Sequence, residues 1–191
     1  MSDGTDAAGP RDRMLRVWPA VVGVVFAAGM IALLSVGIAD TTTATEILTA
    51  AAFVYLGSAA LGHRTAAWPL FGLTFLLIGA GLVVRGFSPM WAMVVLVGAL
   101  FAFGLVRGRV RPRWGIPLQA AAMLAVLLLA LIIPALPSPW GAVLVGIGLV
   151  LHAGWDVHHL RTRRVVASSM AEFCAALDVV LAAGVILVAA A

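Results

Sequence analysis

Long apolar runs separated by short polar breaks make up almost the whole chain. A transmembrane helix needs about 20 mostly apolar residues to cross a hydrocarbon core about 30 Å thick. The breaks between the runs carry turn-forming residues, as in DTTT, RGFSP and PSP. The pattern predicts an all-α, polytopic membrane helical bundle of seven transmembrane helices, forming a single domain over 15–191. The predicted spans are 15–39, 43–62, 66–84, 88–107, 115–136, 139–160 and 166–190.

Composition excludes a soluble domain. Of the 191 residues, 63% are hydrophobic and 10% are charged, and the mean hydropathy is +1.13. One soluble core does not need so much apolar surface. The formal net charge of +4 would suggest a nucleic-acid partner in a soluble protein. Here the basic residues lie in the breaks between spans, so we expect membrane lipid as a partner and no nucleic acid.

The distribution of arginine predicts how the chain lies in the membrane. All twelve basic residues are arginine, and Arg85 alone falls on one side of the predicted bundle. Because cytoplasmic loops carry an excess of positive charge, the N-terminus is predicted to be cytoplasmic and the C-terminus outside, in a multi-pass protein of the cell (inner or plasma) membrane. The polar segment 1–14 is predicted to be a disordered cytoplasmic tail. The eleven arginines of the opposite side are Arg11, Arg13, Arg16, Arg64, Arg107, Arg109, Arg111, Arg113, Arg161, Arg163 and Arg164.

Ionisable side chains interrupt the apolar pattern of the last two spans. Such a group costs about 2.5 kcal/mol or more at the centre of a span. His152, Asp156 and His159 stand at i, i+4 and i+7, so they share one helical face. Asp178 lies near the midplane of the seventh span. We expect His152, Asp156 and Asp178 to converge in one water-accessible cavity that opens on the cytoplasmic half.

Two more residues complete the candidate site. Glu172 borders the same expected cavity from the seventh span, on another face of the helix than Asp178. Tyr55, the only tyrosine, lies near the middle of the second span, where its hydroxyl needs a partner. It shares a face with small residues, Ser58, Ala59 and Gly62, on which another helix is expected to pack closely. The candidate catalytic residues are Asp178, Asp156, His152, His159, Tyr55 and Glu172.

The sequence is compatible with two kinds of site, a bound metal or a proton-transfer network of histidine and aspartate. Imidazole and carboxylate groups suit a divalent ion such as zinc or iron. His152, Asp156 and His159 are the candidate ligands, but i to i+7 covers about 10.5 Å of helical rise, so one ion takes only two of them. Because no sequence motif supplies the remaining ligands, the proton-transfer network is favoured over a bound metal. The donors available from other positions are Glu172, Cys174, Asp178 and His63.

Three stretches together resemble a family of small bacterial integral membrane proteins: VYLGSAALG at 54–62, LHAGWDVHHL at 151–160 and EFCAALDVVLA at 172–182. In that family a Tyr-Leu-x-Gly-like segment is followed by His-x-x-Trp-Asp-x-x-His-His and then by a Cys-x-x-x-Asp helix. The last helix matches through Cys174 and Asp178, whereas the middle motif matches with a spacing that departs by one residue. The resemblance implies that the polar residues form one site, and it implies no reaction.

Three classes of function fit these residues. Covalent retinal is excluded because its Schiff base needs a lysine, which the chain lacks, and haem is disfavoured because His152 and His159 share one helix. The favoured hypothesis is an enzyme, a cyclase, isomerase or hydrolase, acting on a hydrophobic isoprenoid or lipid, with Asp178 as acid and His152 and Asp156 accepting the returning proton. A proton- or cation-coupled transporter and a non-catalytic assembly factor are the alternatives. The enzyme is favoured because the polar groups cluster in one half of the membrane.

Reporter fusions test the predicted orientation. A fusion after Arg113 should report a cytoplasmic position, and a fusion after Ala191 an external one, because three predicted spans lie between these two positions. The same side for both fusions would contradict either the orientation or the number of spans.

Overall fold

The computed structural model describes residues 10–137 and 139–190, with side chains from Val17 onward. The described chain is all-helical, and seven of its helices are long and apolar enough to cross a membrane. Short 3-10 turns at Arg64–Ala66 and Ile133–Ala135 precede α3 and follow α5. The helices are α1 Pro10–Ser35, α2 Thr41–Leu61, α3 Ala67–Val83, α4 Pro89–Val106, α5 Ile116–Ile132, α6 Trp140–Thr162 and α7 Ser168–Ala190.

The seven predicted spans are all present, and their ends move by a few residues. Residues 1–9 of the predicted tail lie outside the described residues, and α1 begins at Pro10. Helix α2 begins at Thr41 because Asp40 caps it, with its Oδ1 accepting a hydrogen bond of 2.9 Å from the Thr43 backbone N–H. Helix α6 continues to Thr162, two residues beyond its predicted end, and α7 starts two residues later than predicted.

Helix α2 is the centre of the bundle. Buried residues make up 72% of its most apolar stretch, the largest share of any span, and it packs against α3, α4, α5 and α6. Two of its threonines satisfy their hydroxyls within the helix: Thr45 donates to the Thr41 carbonyl at 2.7 Å, and Thr49 to the Thr45 carbonyl at 3.0 Å. Backbone carbonyls of the same helix are the usual partners for hydroxyl groups buried in a membrane.

Helices α1, α7 and α6 pack side by side, with α7 between the other two. Glycine permits the close approach. A Cβ on Gly23 of α1 would overlap the Phe173 carbonyl oxygen of α7, and a Cβ on Gly184 of α7 would overlap Ile31 of α1. Small residues at such crossings allow helix backbones to come into contact in a membrane.

The loop between α6 and α7 is fixed by an arginine from another part of the chain. Arg64, just after α2, donates from Nε to the Val166 carbonyl at 2.9 Å, and its own carbonyl accepts from the Ala167 N–H at 3.0 Å. Helix α6 ends where Arg163 adopts the left-handed conformation, with a φ of 51°. The Arg64 contacts therefore set where α7 begins relative to α2.

The α1–α7 crossing gives a matched test of packing. We expect Gly23→Ala to destabilise the protein by about 1–3 kcal/mol, because the added methyl group meets backbone atoms that cannot move aside. Gly29→Ala in the same helix is the control, since nothing lies within 4 Å of a Cβ built there. Unfolding in detergent measures both variants, and equal stability losses would refute this account of the crossing.

Candidate functional site

The α6–α7 hairpin brings His152 and Asp178 to the same depth. His152 lies ten residues before Thr162, the last residue of α6, and Asp178 lies ten residues after Ser168, the first residue of α7. Ten residues rise about 15 Å, which is half of a 30 Å hydrocarbon core. In an antiparallel pair, residues equally distant from the loop lie opposite each other. His152 Nδ1 is accordingly 2.7 Å from Asp178 Oδ2.

Asp156 and Tyr55 complete the group. Asp156 follows His152 by one turn, and its Oδ2 is 3.2 Å from the same Nδ1 atom. Its Oδ1 accepts a hydrogen bond of 2.6 Å from the Tyr55 hydroxyl of α2. His152, Asp156 and Asp178, which the sequence predicted to converge, offer ligand atoms within 4.8 Å of one another. We call His152, Asp156, Asp178 and Tyr55 the carboxylate cluster.

In the carboxylate cluster two carboxylate oxygens compete for one donor, the Nδ1 atom of His152. A single imidazole Nδ1 carries at most one proton, yet it faces a carboxylate oxygen on each side. Because the shorter contact is to Asp178, Asp156 Oδ2 is left buried without a hydrogen-bond partner. An unsatisfied buried acceptor costs about 1–3 kcal/mol. The cluster therefore has an open position for a further proton, beside a proton already shared by His152 and Asp178.

In the part of the chain that the structure describes, two separate cavities flank the carboxylate cluster, in place of the one shared cavity that was predicted. Asp156 is fully buried and Asp178 is 1% exposed. Asp178 lines a cavity of about 220 Å³ between α1, α2, α3 and α7, which we call the Asp178 cavity. His152 and Tyr55 line a second one of about 180 Å³ between α2, α5 and α6, the His152 cavity. Direct hydrogen bonds join Tyr55 to Asp156 and His152 to Asp178.

The Asp178 cavity is almost entirely apolar. Apart from Asp178 itself, Thr74 is the polar hydroxyl residue on its wall, and that hydroxyl donates to the Phe71 carbonyl at 2.9 Å. Phe75 and Leu82 at its edge are 50% and 39% exposed, so the cavity reaches the lipid-facing surface of the bundle. The remaining lining residues are Phe26, Met30, Leu33, Ile47, Ala50, Ala51, Val54, Phe71, Ile78, Gly79, Phe173, Cys174 and Leu177.

His159, one of the three candidate ligands, does not lie with the two carboxylates; the ligand atoms that come together belong to His152, Asp156 and Asp178. The His159 Nδ1 donates to the Trp155 carbonyl at 3.0 Å, and its Nε2 accepts from the Gln119 amide at 3.3 Å. The ring packs edge-on against Tyr55, with centroids 4.9 Å apart. His159 is therefore a support for Tyr55, and Asp178 takes its place among the converging groups.

Gln119 was missed in the sequence. It is the only glutamine of the chain, and it interrupts the apolar pattern of the fifth span, which is the signal that could have found it. Its amide donates to the Trp114 carbonyl at 3.2 Å as well as to His159. A buried amide with these two acceptors fixes the His159 ring and, through it, the position of Tyr55.

The other predicted residues lie apart from the carboxylate cluster. Glu172 is half-buried and forms no hydrogen bond or ion pair with the described side chains. Its helical position, six residues before Asp178, turns it to another face of α7. Cys174 is buried on the wall of the Asp178 cavity, with its Sγ 3.6 Å from Met170 Sδ. His158 is exposed, about 100° around the helix from His159.

The distances within the carboxylate cluster are those of hydrogen bonds. Two ligands bound to a tetrahedral zinc ion at about 2.0–2.2 Å are separated by roughly 3.4 Å. The contact of 2.7 Å between His152 and Asp178 is shorter than that separation. To hold zinc or iron, Asp178 would have to withdraw from His152, and the proton between them would have to leave.

Elemental analysis tests this assignment. We expect purified wild-type protein to carry no stoichiometric zinc or iron, because the 2.7 Å contact between His152 and Asp178 leaves no room for an ion between them. Asp156→Asn and His152→Ala are the comparison variants, and Glu172→Gln controls for the loss of a carboxylate elsewhere on α7. Stoichiometric metal in the wild type that both cluster variants lose would establish a metal centre instead.

Comparison of the chain with protein-family models, with curated proteins and with solved structures finds no match. The geometry of the carboxylate cluster and its two cavities therefore carries the functional assignment.

Proposed function

We propose that the protein is a membrane enzyme that transfers protons to and from a hydrophobic isoprenoid or lipid substrate bound in the Asp178 cavity. One observation carries the proposal. Asp178, hydrogen-bonded to His152 at 2.7 Å, is the one carboxyl group among the residues that line an otherwise almost entirely apolar cavity. An acid in that setting faces a substrate that has no polar group to bind, and this arrangement suits protonation of carbon.

The position of the Asp178 cavity supports entry from the bilayer. Exposed Phe75 and Leu82 border it at the lipid-facing surface. A branched hydrocarbon chain could insert one segment into the cavity and leave the remainder among the lipid tails. Apolar walls also exclude water, which would otherwise capture a carbocation formed inside.

The chemistry we propose is isomerisation or cyclisation, which needs no other reactant. Asp178 donates its proton to one carbon of a substrate double bond, and a carbocation forms at the other. Loss of a proton from a neighbouring carbon, directly or after ring closure, restores a double bond. That proton returns to the Asp178–His152 pair, so the product has the composition of the substrate and the enzyme is regenerated.

Asp156 and Tyr55 support His152 in this scheme. When Asp178 loses its proton, the shared proton stays with His152, and Asp156 at 3.2 Å stabilises the imidazolium. The Tyr55 hydroxyl keeps Asp156 in place through its 2.6 Å hydrogen bond. A carboxylate that orients and stabilises a histidine without reacting itself is a recurring feature of acid–base sites.

The orientation in the membrane also belongs to the proposal. The concentration of arginine at one end of the bundle favours a cytoplasmic position for that end and for the N-terminus. The protein then lies in the cell membrane with its C-terminus outside.

Proton transport is the second candidate, because Asp178 and His152 line different cavities. A proton moving between them would pass from one side of the cluster to the other. Transport also needs a route onward to the arginine-poor end, where Glu46 lines another cavity. On α2, between Tyr55 and Glu46, the polar residue is Thr49, whose hydroxyl already donates to a backbone carbonyl. The described residues of α2 thus offer no relay, and the enzyme is favoured.

Deuterium labelling tests the enzyme directly. Purified protein in liposomes made from an isoprenoid-containing lipid extract should, in D₂O buffer, introduce deuterium at carbon into a lipid detected by mass spectrometry. Asp178→Asn should abolish labelling, and Tyr55→Phe should slow it, by roughly 10-fold to 100-fold, because Asp156 loses its donor. Glu172→Gln, the matched carboxylate on α7, should label as the wild type does.

Labelling that is absent from the wild type, or equal in folded Asp178→Asn, would refute the enzyme. A pH-sensitive dye inside the same liposomes provides the second measurement. A proton flux that Asp178→Asn removes, in the absence of labelling, would favour the transporter.

A further inference from the structure

A third cavity, of about 380 Å³, lies at the arginine-rich end of the bundle. Its wall is formed by the α4–α5 loop, the α6–α7 loop and the end of α2. Five arginines and one buried serine line it: Arg64, Arg109, Arg111, Arg163, Arg164 and Ser58. We call it the arginine pocket.

Contacts with the protein position three of these arginines. Arg109 donates from Nη1 to the Ala60 carbonyl at 2.6 Å, near the end of α2. Arg64 is held by its bond to Val166, and the Arg164 guanidinium lies over the Trp114 ring, 5.1 Å from the centroid. Side chains fixed in this way lose less conformational entropy when they bind a ligand.

The positive charge of the arginine pocket is not balanced by the protein that lines it. No carboxylate is among its lining residues, and no arginine pairs with a carboxylate among the side chains described for Val17–Pro137 and Pro139–Ala190. Five guanidinium groups gathered in a concave site repel one another unless an anion is bound. Orientation in the membrane requires only that arginines lie at this end, and Arg107, Arg113 and Arg161 meet that requirement outside the pocket.

Ser58 is the independent sign of a ligand. It is 1% exposed, and its Oγ has no hydrogen-bond partner among the described residues. A buried hydroxyl without a partner is costly unless something binds to it. Ser58 lines the arginine pocket, so an anion there would provide the missing acceptor.

The small residues of α2 leave room for an occupant. Ser58, Ala59 and Gly62 were predicted to be a surface for helix packing, yet they line the arginine pocket instead. Gly62 has a φ of 67°, and a Cβ built on it would lie 3.0 Å from the Arg109 Cζ atom. Glycine is thus needed there both for the backbone conformation and for the approach of the guanidinium group.

We propose that the arginine pocket binds a phosphate or diphosphate group, either free or as the headgroup of an anionic lipid. A guanidinium group donates two parallel hydrogen bonds to two oxygens of a phosphate, and a neighbouring hydroxyl adds a further donor. The proposal concerns binding alone and stands whether or not the carboxylate cluster is catalytic.

Titration calorimetry on the full-length protein in a neutral detergent, with inorganic phosphate and with pyrophosphate, tests the free anion. Nanodiscs of phosphatidylcholine with and without phosphatidic acid, followed by native mass spectrometry of retained lipid, test the headgroup. The pocket variant is Arg111→Gln with Arg163→Gln. The matched control is Arg107→Gln with Arg161→Gln, which removes the same charge outside the pocket, from the α4–α5 loop and from the last turn of α6.

We expect the pocket variant to weaken binding by at least tenfold and the control to leave it within about twofold. Ser58→Ala should weaken binding up to about tenfold without lowering thermal stability, because its hydroxyl has no partner in the protein to lose. Binding of either soluble probe identifies a free anion, and retention of phosphatidic acid alone identifies a lipid headgroup. Equal losses in the pocket variant and the control, or no binding of any probe, would overturn the proposal.

Discussion

The fold depends on placing two carboxyl groups in hydrocarbon without leaving either one unpaired. A charged group brought into that environment alone costs several kcal/mol. His152 resolves most of this cost by lying between Asp178 and Asp156, at 2.7 Å and 3.2 Å. The contact to Asp178 also fixes the register of α6 against α7, because no other register puts the two side chains at one depth. Removing one partner would leave the others buried and uncompensated.

Helix α2 connects this cluster to the rest of the molecule. Tyr55 reaches Asp156, and Ser58, one turn further along at a rise of about 4.5 Å, lines the arginine pocket. The two sites thus share one helix that is buried between four others. The hydroxyls of Thr45 and Thr49 are bonded to backbone carbonyls of α2, whereas Tyr55 and Ser58 are directed to the two sites.

The sequence predicts whatever depends on local pattern. Apolar length identified all seven helices, and helical periodicity placed His152 and Asp156 on one face. The depth of His152 relative to Asp178 was not predictable to within a turn, because it depends on a loop whose ends moved by two residues on each side. The loop contacts Arg64, which is distant in sequence, through Val166 and Ala167. The partner of His159 was not predictable for the same reason, since Gln119 lies on another helix.

The two carboxyl groups are not equivalent, and their difference assigns their roles. Asp156 accepts from Tyr55, faces His152, and is closed off from both cavities. It is suited to hold His152 and Tyr55 in place. Asp178 has His152 as its hydrogen-bond partner and lines an apolar cavity. In the proposed enzyme Asp178 is therefore the carboxyl group that donates a proton, because it is the one of the two that lines the cavity in which a hydrophobic substrate would bind.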